Sequence, residues 1–226
     1  METRKEFAGL GEAYAFFQSH SSETRASLQA WLPHLPLQPA KMLDFGCGPG
    51  DYLEELLKHL KPVELSLVEP DPEFRRKARE RLLPKHAWAR LPTGQTFDLI
   101  VSHHVLYYVP DLKQTLSQLW DSLRGRMLLA QGGKDNGLNQ ILKAALNPCP
   151  YYFSEDTAAA LAELEIPYRI LEVEDACTFP DSPSARRHIL RFLLGQEEGP
   201  LELLDPFQKH DHIHIPSRNQ HFIIDR

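Results

Sequence analysis

Leu43-Asp44-Phe45-Gly46-Cys47-Gly48-Pro49-Gly50-Asp51 is the stretch on which the reading of this chain turns. The residues before it, Lys41 to Phe45, form a short apolar run expected to be a buried strand. The residues after it, Asp51 to Leu60, place Leu53, Leu56, Leu57 and Leu60 on one helical face. A glycine loop between strand and helix lies at the carboxyl edge of a sheet, where open α/β folds bind ligands. Nineteen residues beyond Gly50, at the end of the next apolar run, stands Glu69. It is placed to accept hydrogen bonds from both hydroxyls of a ribose, a spacing that also suits a nicotinamide dinucleotide.

Charge separates those two ligands. A pyrophosphate cradle needs free N–H groups and positive potential at a helix N-terminus. Pro49 removes one donor, and Asp44 and Asp51 put a carboxylate at each end of the loop. Two unit charges at ~4 Å interact by about 4 kcal/mol at an intermediate dielectric, here repelling a phosphate and attracting a cation. The expected ligand carries an ammonium or a sulfonium, and S-adenosylmethionine carries both with a ribose.

Outward from the loop the pattern alternates. Val63 to Glu69 reads as a second strand, Pro72 to Leu83 as a helix, and His86 to Leu91 as a weak strand. Phe97 to Ser102 reads as a fully buried strand, Asp111 to Leu123 as a helix and Arg126 to Ala130 as a fifth strand. Such alternation requires crossover helices on both faces of a mostly parallel sheet. Further helices are expected over 137–146, 154–165 with Ser154 as its cap, and 184–194 closed by Gly195, with a strand over 168–173. The tail HIHIPSRNQHFIID is read as two strands turning around Pro216 to Asn219, an antiparallel hairpin. Residues 11–32 read as helical with a break near His20 to Ser22.

Composition narrows the class. The chain has 226 residues, 42% hydrophobic and 25% charged, with a net charge of −6. That balance opposes a broad phosphate-binding surface. No apolar run approaches the roughly 18 residues of a membrane span, and METRKEFAGLGEAY lacks the apolar core of a signal peptide. Cys47, Cys149 and Cys177 share no metal-ligand spacing, as expected of reduced thiols in a cytoplasmic protein.

The segments LDFGCGPG, LVEPD and FDLIVSHHVLYYVPD resemble the successive signature motifs of class I S-adenosylmethionine-dependent methyltransferases. The resemblance covers about residues 41–131. It implies a Rossmann-like three-layer sandwich with a mostly parallel seven-stranded sheet, an antiparallel C-terminal hairpin and a helical cap. One domain over 1–226 is expected: cap 1–40, cofactor-binding core 41–135, and substrate-side helices and strands 136–226. Carried over residue by residue, Asp44, Gly46, Gly48 and Gly50 would line the methionine and ribose of S-adenosylmethionine, with Glu69 and Pro70 at the ribose and His103 beside the donor. The acidic residue that often contacts adenine is not evident in ARLPTGQ.

FFQSHSSE, VEPDPE, VLYYVPDLKQTL, HILRFLL and the terminal FIID also resemble the histamine N-methyltransferase group. That likeness implies an acceptor site of Glu23, His104 (where the group has Gln), Tyr107, Tyr108 and, near the C-terminus, Arg218 or its neighbour Asn219. The implied reaction is in-line methyl transfer to a small, polar, nitrogen-containing acceptor by a monomer or weak dimer. A methyltransferase acting on protein or RNA and a non-catalytic binding module are the alternatives.

Other clusters have plainer readings. His210, His212 and His214 alternate along a strand with Ile213 and Ile215, so they are read as exposed rather than as metal ligands. His103 and His104 are expected to diverge as strand neighbours, each walling the pocket. Glu23 by itself is an ordinary solvated helix residue, and Arg75, Arg76 and Lys77 a solvated face. If the acid-flanked loop has been read correctly, NADH titrated into the protein gives no saturable fluorescence enhancement at micromolar concentration. Saturation would put a dehydrogenase first.

Overall fold

The computed structural model describes residues 7, 9–36, 38–195 and 199–226. The N-terminal residues 1–6, where a leader's apolar core was sought and not found, lie outside that set. No helix among the described residues is long and apolar enough to cross a membrane.

The sequence-read alternation is present: β1 (Lys41–Phe45), α3 (Asp51–Leu56), β2 (Glu64–Val68), α4 (Pro72–Leu82), β3 (His86–Trp88), β4 (Phe97–His103), α5 (Leu112–Asp121) and β5 (Leu123–Gly132). Before it stand α1 (Gly11–Ser19) and α2 (Glu23–Trp31), and the expected break near His20 separates them. After it come α6 (Gly137–Ala145), α7 (Ser154–Glu163), β6 (Arg169–Pro180), α8 (Pro183–Leu194), β7 (Gln208–Lys209) and β8 (His212–Asp225). The strand order is β3-β2-β1-β4-β5-β8-β6, with the two-residue β7 also on β8. Strands β1 to β5 pair in parallel, whereas β8 runs antiparallel to β5, β6 and β7.

Alternate residues of the central strands feed two cores. Leu43, Phe45 and Ile100 pack with Leu112, Leu116 and Leu119 of α5 and Leu161 of α7. On the opposite face Met42, Leu67 and Leu99 pack with Trp31, Leu53, Leu56 and Ala78 from α2, α3 and α4. Burial on both faces is why these strands read as unbroken apolar runs. A third core joins Phe17 of α1, Ile141 of α6 and Ile189 of α8 to Phe179, Ile213 and Ile215. This last group forms the cap side of the molecule.

The tail corrects the expected hairpin within it. Residues His212–Asp225 form one 14-residue strand, whose antiparallel partner is β6. Pro216, which looked like a turn, pairs with Ala176, in the half of β8 that β5 does not reach, since β5 pairing starts at Asn219. A strand with one neighbour tolerates a residue that cannot donate. Ser154 is likewise the first residue of α7 rather than its cap; the Asp156 carboxylate accepts from the Phe153 N–H instead.

The sequence between α1 and α2 is stitched to β6. Ser22 N–H donates to the Ala176 carbonyl at 3.0 Å, and Thr178 N–H donates to the His20 carbonyl at 2.9 Å. This stitch fixes where α2 begins and hence where Glu23 sits.

Gly46 shows how tightly the loop is built. Its φ is +79°, and a Cβ there would collide with the Val105 side chain. Gly94 has φ +72° with nothing near its would-be Cβ. Gly94→Ala should therefore cost only the left-handed penalty of about 1–2 kcal/mol, while Gly46→Ala should cost clearly more. Thermal denaturation of the two variants checks this, and equal melting temperatures would contradict the contact with Val105.

Candidate active site

A cavity of about 800 Å³ opens where β1, β2 and β4 end, roofed by α1, α6 and α8. Asp44, Gly46, Cys47 and Gly48 contribute one wall, Glu69 to Pro72 the next, and His103 to Tyr108 a third. Glu23 and Asn219 close the far side.

Glu69 organises the loop. Its Oε2 accepts from the Gly48 N–H and its Oε1 from the Asp71 N–H, both at 2.8 Å. Burial pushes the carboxyl up to about 7, against the pull of those two hydrogen bonds. Asp44 is 3% exposed and is pushed up to about 8, first by burial and then by Glu69. Glu23, buried in the first turn of α2, is raised to about 7 by burial. Four carboxylate residues thus line the cavity (Glu23, Asp44, Glu69, Asp71), and no Lys or Arg does among the described residues.

The expected loop residues divide. Asp44, Gly46 and Gly48 line the cavity, as do Glu69, Pro70 and His103. Gly50 does not: its φ of +92° forms the turn into α3, and it packs against Leu82 and Ala78 of α4. Asp51 also faces away and pairs with Arg81, so the acidity read from that end of the loop is supplied instead by Glu69 and Asp71. Arg75 is not merely solvated, because its guanidinium donates to the Glu69 and Pro70 carbonyls at 2.5 and 3.1 Å.

On the acceptor side Glu23, His104, Tyr107, Tyr108 and Asn219 all line the cavity. Arg218 does not. It is exposed and donates to Glu174 at 3.1 Å, because successive residues of a strand face opposite ways. Asn219 accepts from Asn136 Nδ2 at 2.9 Å through Oδ1 and donates through Nδ2 to Asp175 at 2.5 Å. The expected divergence of His103 and His104 is also corrected. His104 has φ +56°, which turns the chain and brings the two rings to 4.6 Å between centroids. His103 stacks on Tyr52 at 3.7 Å, and its Nε2 lies 2.9 Å from Ser27 Oγ. His104 Nδ1 lies 3.2 Å from the Tyr107 hydroxyl, which in turn accepts from the Gly132 N–H. Burial pushes His104 down to about 3 and His103 well below its ordinary value, so both rings are neutral near pH 7.

Sequence reasoning missed Tyr14, Tyr52, Asn136 and Asp175. Asn136 had a signal, since it precedes α6 and caps it by accepting from the Leu138 N–H at 2.9 Å. Of the C-terminal histidines, read as exposed, His210 is exposed while His212 and His214 are half-buried; Ile213 and Ile215 are fully buried, His214 Nδ1 lies 3.0 Å from Thr178 Oγ1 and His212 lies beside Asp211.

Residues 43–126 match a family model described as a methyltransferase domain. A trans-aconitate 2-methyltransferase of Deinococcus radiodurans is 27% identical over 142 residues, 60% of this chain and 54% of that protein. The chain spans about half the length of the first curated relatives it matches, between 40% and 62%. A solved structure described as a possible histamine N-methyltransferase from Thermotoga maritima superposes with a TM-score of 0.61 at 15% identity, covering 96% of this chain and 95% of that one. The N-methyltransferase NodS of Bradyrhizobium japonicum, solved with S-adenosyl-L-homocysteine, gives 0.53 at 16% identity over 93% of this chain and 98% of its own.

The raised carboxyls set a pH dependence. A carboxyl whose folded pKa lies above its unfolded value holds its proton more tightly when folded. The folded state therefore loses stability as pH rises from the unfolded value, near 4, through the folded one, about 7 for Glu23 and Glu69 and about 8 for Asp44. The ligand-free protein should melt lower at pH 8 than at pH 5.5. A cationic ligand prefers the ionised carboxylates, so its affinity should rise over the same interval. Calorimetry and thermal scans at both pH values check the two signs.

The strand order, the glycine-loop segment and these likenesses give the chain the fold of the class I S-adenosylmethionine-dependent methyltransferases.

Proposed function

We propose that the chain moves a methyl group from S-adenosylmethionine to a small, polar, nitrogen-containing acceptor held in the Glu23 half of the cavity. The observation that carries this reading is the lining: four carboxylate residues, a set of tyrosines, two histidines held neutral by burial and no Lys or Arg among the described residues. Carboxylates and aromatic faces both favour positive charge. The cavity's volume lies within the range of pockets that enclose small ligands.

In this reading Asp44, Gly46 and Gly48 face the methionine part of the donor, Glu69 takes the ribose hydroxyls, and Pro70 and His103 flank it. The donor carries the chemistry once bound. The cavity residues would orient the acceptor toward the donor and exclude water. Glu23 and Asn219 orient the acceptor, Tyr107 and Tyr108 wall it, and the neutral His104 is able to take the proton that a protonated amine must lose before it attacks.

Trans-aconitate, the acceptor in the relatives' names, is a polycarboxylate. Arg218, a cation that could have met a carboxylate here had it faced the cavity, is exposed and donates to Glu174. The pocket's charge therefore favours an amine over that acid.

Methyl-donor consumption against a panel of amines and polycarboxylates tests the choice, with turnover expected on amines. Turnover on polycarboxylates alone would overturn it. Glu69→Ala should weaken S-adenosylhomocysteine binding by about 1.5–3 kcal/mol, the scale of hydrogen bonds to a charged group. Glu23→Gln should raise KM for the acceptor with cofactor affinity nearly unchanged. Equal kinetics for wild type and Glu23→Gln would make the start of α2 scaffold.

A further inference from the structure

Glu23 and His104, which the proposed function places at the acceptor, also form with His103 a grouping whose spacing methyl transfer to an amine does not explain. One Glu23 oxygen, one His103 nitrogen and one His104 nitrogen all lie within 4.8 Å of one another. His103 Nδ1 stands 3.9 Å from Glu23 Oε1, and His104 Nε2 stands 3.6 Å from Glu23 Oε2. Both separations are too long for hydrogen bonds, which close at about 2.7–3.2 Å. Two ligands bound at about 2.1 Å in tetrahedral geometry stand about 3.4 Å apart. The spacing therefore suits atoms that share an ion better than atoms that share a proton.

Three further features agree. His104 Nε2 is buried with no hydrogen-bond partner among the described residues. The other nitrogen of each ring is held by a hydroxyl: His103 Nε2 by Ser27 at 2.9 Å and His104 Nδ1 by Tyr107 at 3.2 Å. Outer hydrogen bonds of this kind orient metal-bound imidazoles. The left-handed φ of +56° at His104 is the backbone cost that brings the second ring into place.

We propose that Glu23, His103 and His104 form a site for one divalent transition-metal ion of the zinc class, with a coordination position open to the cavity. Two imidazoles and a carboxylate are a recognised donor set for such ions when one position is left for water or substrate. The open position would take a water or an oxygen or sulfur of a bound molecule, and the ion would compete with an ammonium acceptor for Glu23. Among the described residues this is the one group of three or more such ligands that close together. His210, His212 and His214 form no second group among the described residues.

Zn²⁺ is titrated into the untagged chain in competition with a chromophoric chelator. One ion per chain at micromolar affinity or better is expected, weakened at least tenfold by Glu23→Gln and by His104→Gln and unchanged by the double variant His212→Ala, His214→Ala. Retained S-adenosylhomocysteine binding shows that the variants are folded, and it also separates failure of the metal site from failure of the donor reading. The wild-type chain supplies a second readout, because Co²⁺ in a site of low coordination number absorbs more strongly in the visible than the hexaaquo ion. Absence of saturable Zn²⁺ binding, binding indifferent to Glu23 and His104, or a Co²⁺ spectrum like that of the free ion would each overturn the proposal.

Discussion

Carboxylates held out of water beside one another, in a cavity that no Lys or Arg lines among the described residues, are the constraint around which this molecule is arranged. Asp44 and Glu69 stand at the ends of adjacent parallel strands, and Glu69 adds to the cost of ionising the buried Asp44, while Glu23 faces the same space from α2. One unit of pKa shift corresponds to about 1.4 kcal/mol, so the ligand-free fold carries a real electrostatic load at neutral pH. The backbone limits it: two N–H groups of the surrounding loops are spent on Glu69 alone. A cation entering the cavity meets carboxylates that water has already left, and gains from a field that the fold has assembled in advance.

The same constraint explains why the loop must be glycine-rich. Gly48 can bring its N–H onto Glu69 only where the chain turns sharply, and Gly46 passes so close to Val105 that no side chain fits. Gly50 serves a different purpose although it belongs to the same motif. It lets α3 start against α4, and so holds the loop's far end without touching the cavity. Motif membership and site membership are separate properties here, and only packing distinguishes them.

How much was legible in the sequence follows from how local each cause is. Strands β1, β2 and β4 could be read because both of their faces are buried, and Glu69 because its distance from the loop is fixed by one βαβ unit. The tail was misread because Pro216 to Asn219 has the composition of a turn, and only the reach of β5 along β8 shows that a proline is harmless there. Arg218 and Asn219 could not be told apart for the same reason, since the pleat chooses between them and a one-residue slip exchanges them. Glu23 looked solvated because the stitch that buries it joins Ser22 to Ala176, residues far apart in the chain. His104 depended on a left-handed backbone angle that no residue type announces.

Asn219 shows why the acidic cavity and the cap belong to one design. It sits opposite Gly132 at the point where β8 gains its second neighbour, and it ties Asn136 at the start of α6 to Asp175 of β6. Asp175 is itself raised to about 7, by burial and then by Glu23. Charge at Glu23 is therefore felt at Asp175, and Asp175 is gripped by the amide that also holds α6 in place. An acceptor that places positive charge at Glu23 favours ionised Asp175 and strengthens its hydrogen bond from Asn219, because charge-assisted hydrogen bonds are the stronger kind. On the proposed function, a positive charge on the acceptor would act along this chain on the helix that roofs it, and a neutral or anionic molecule in the same space would not.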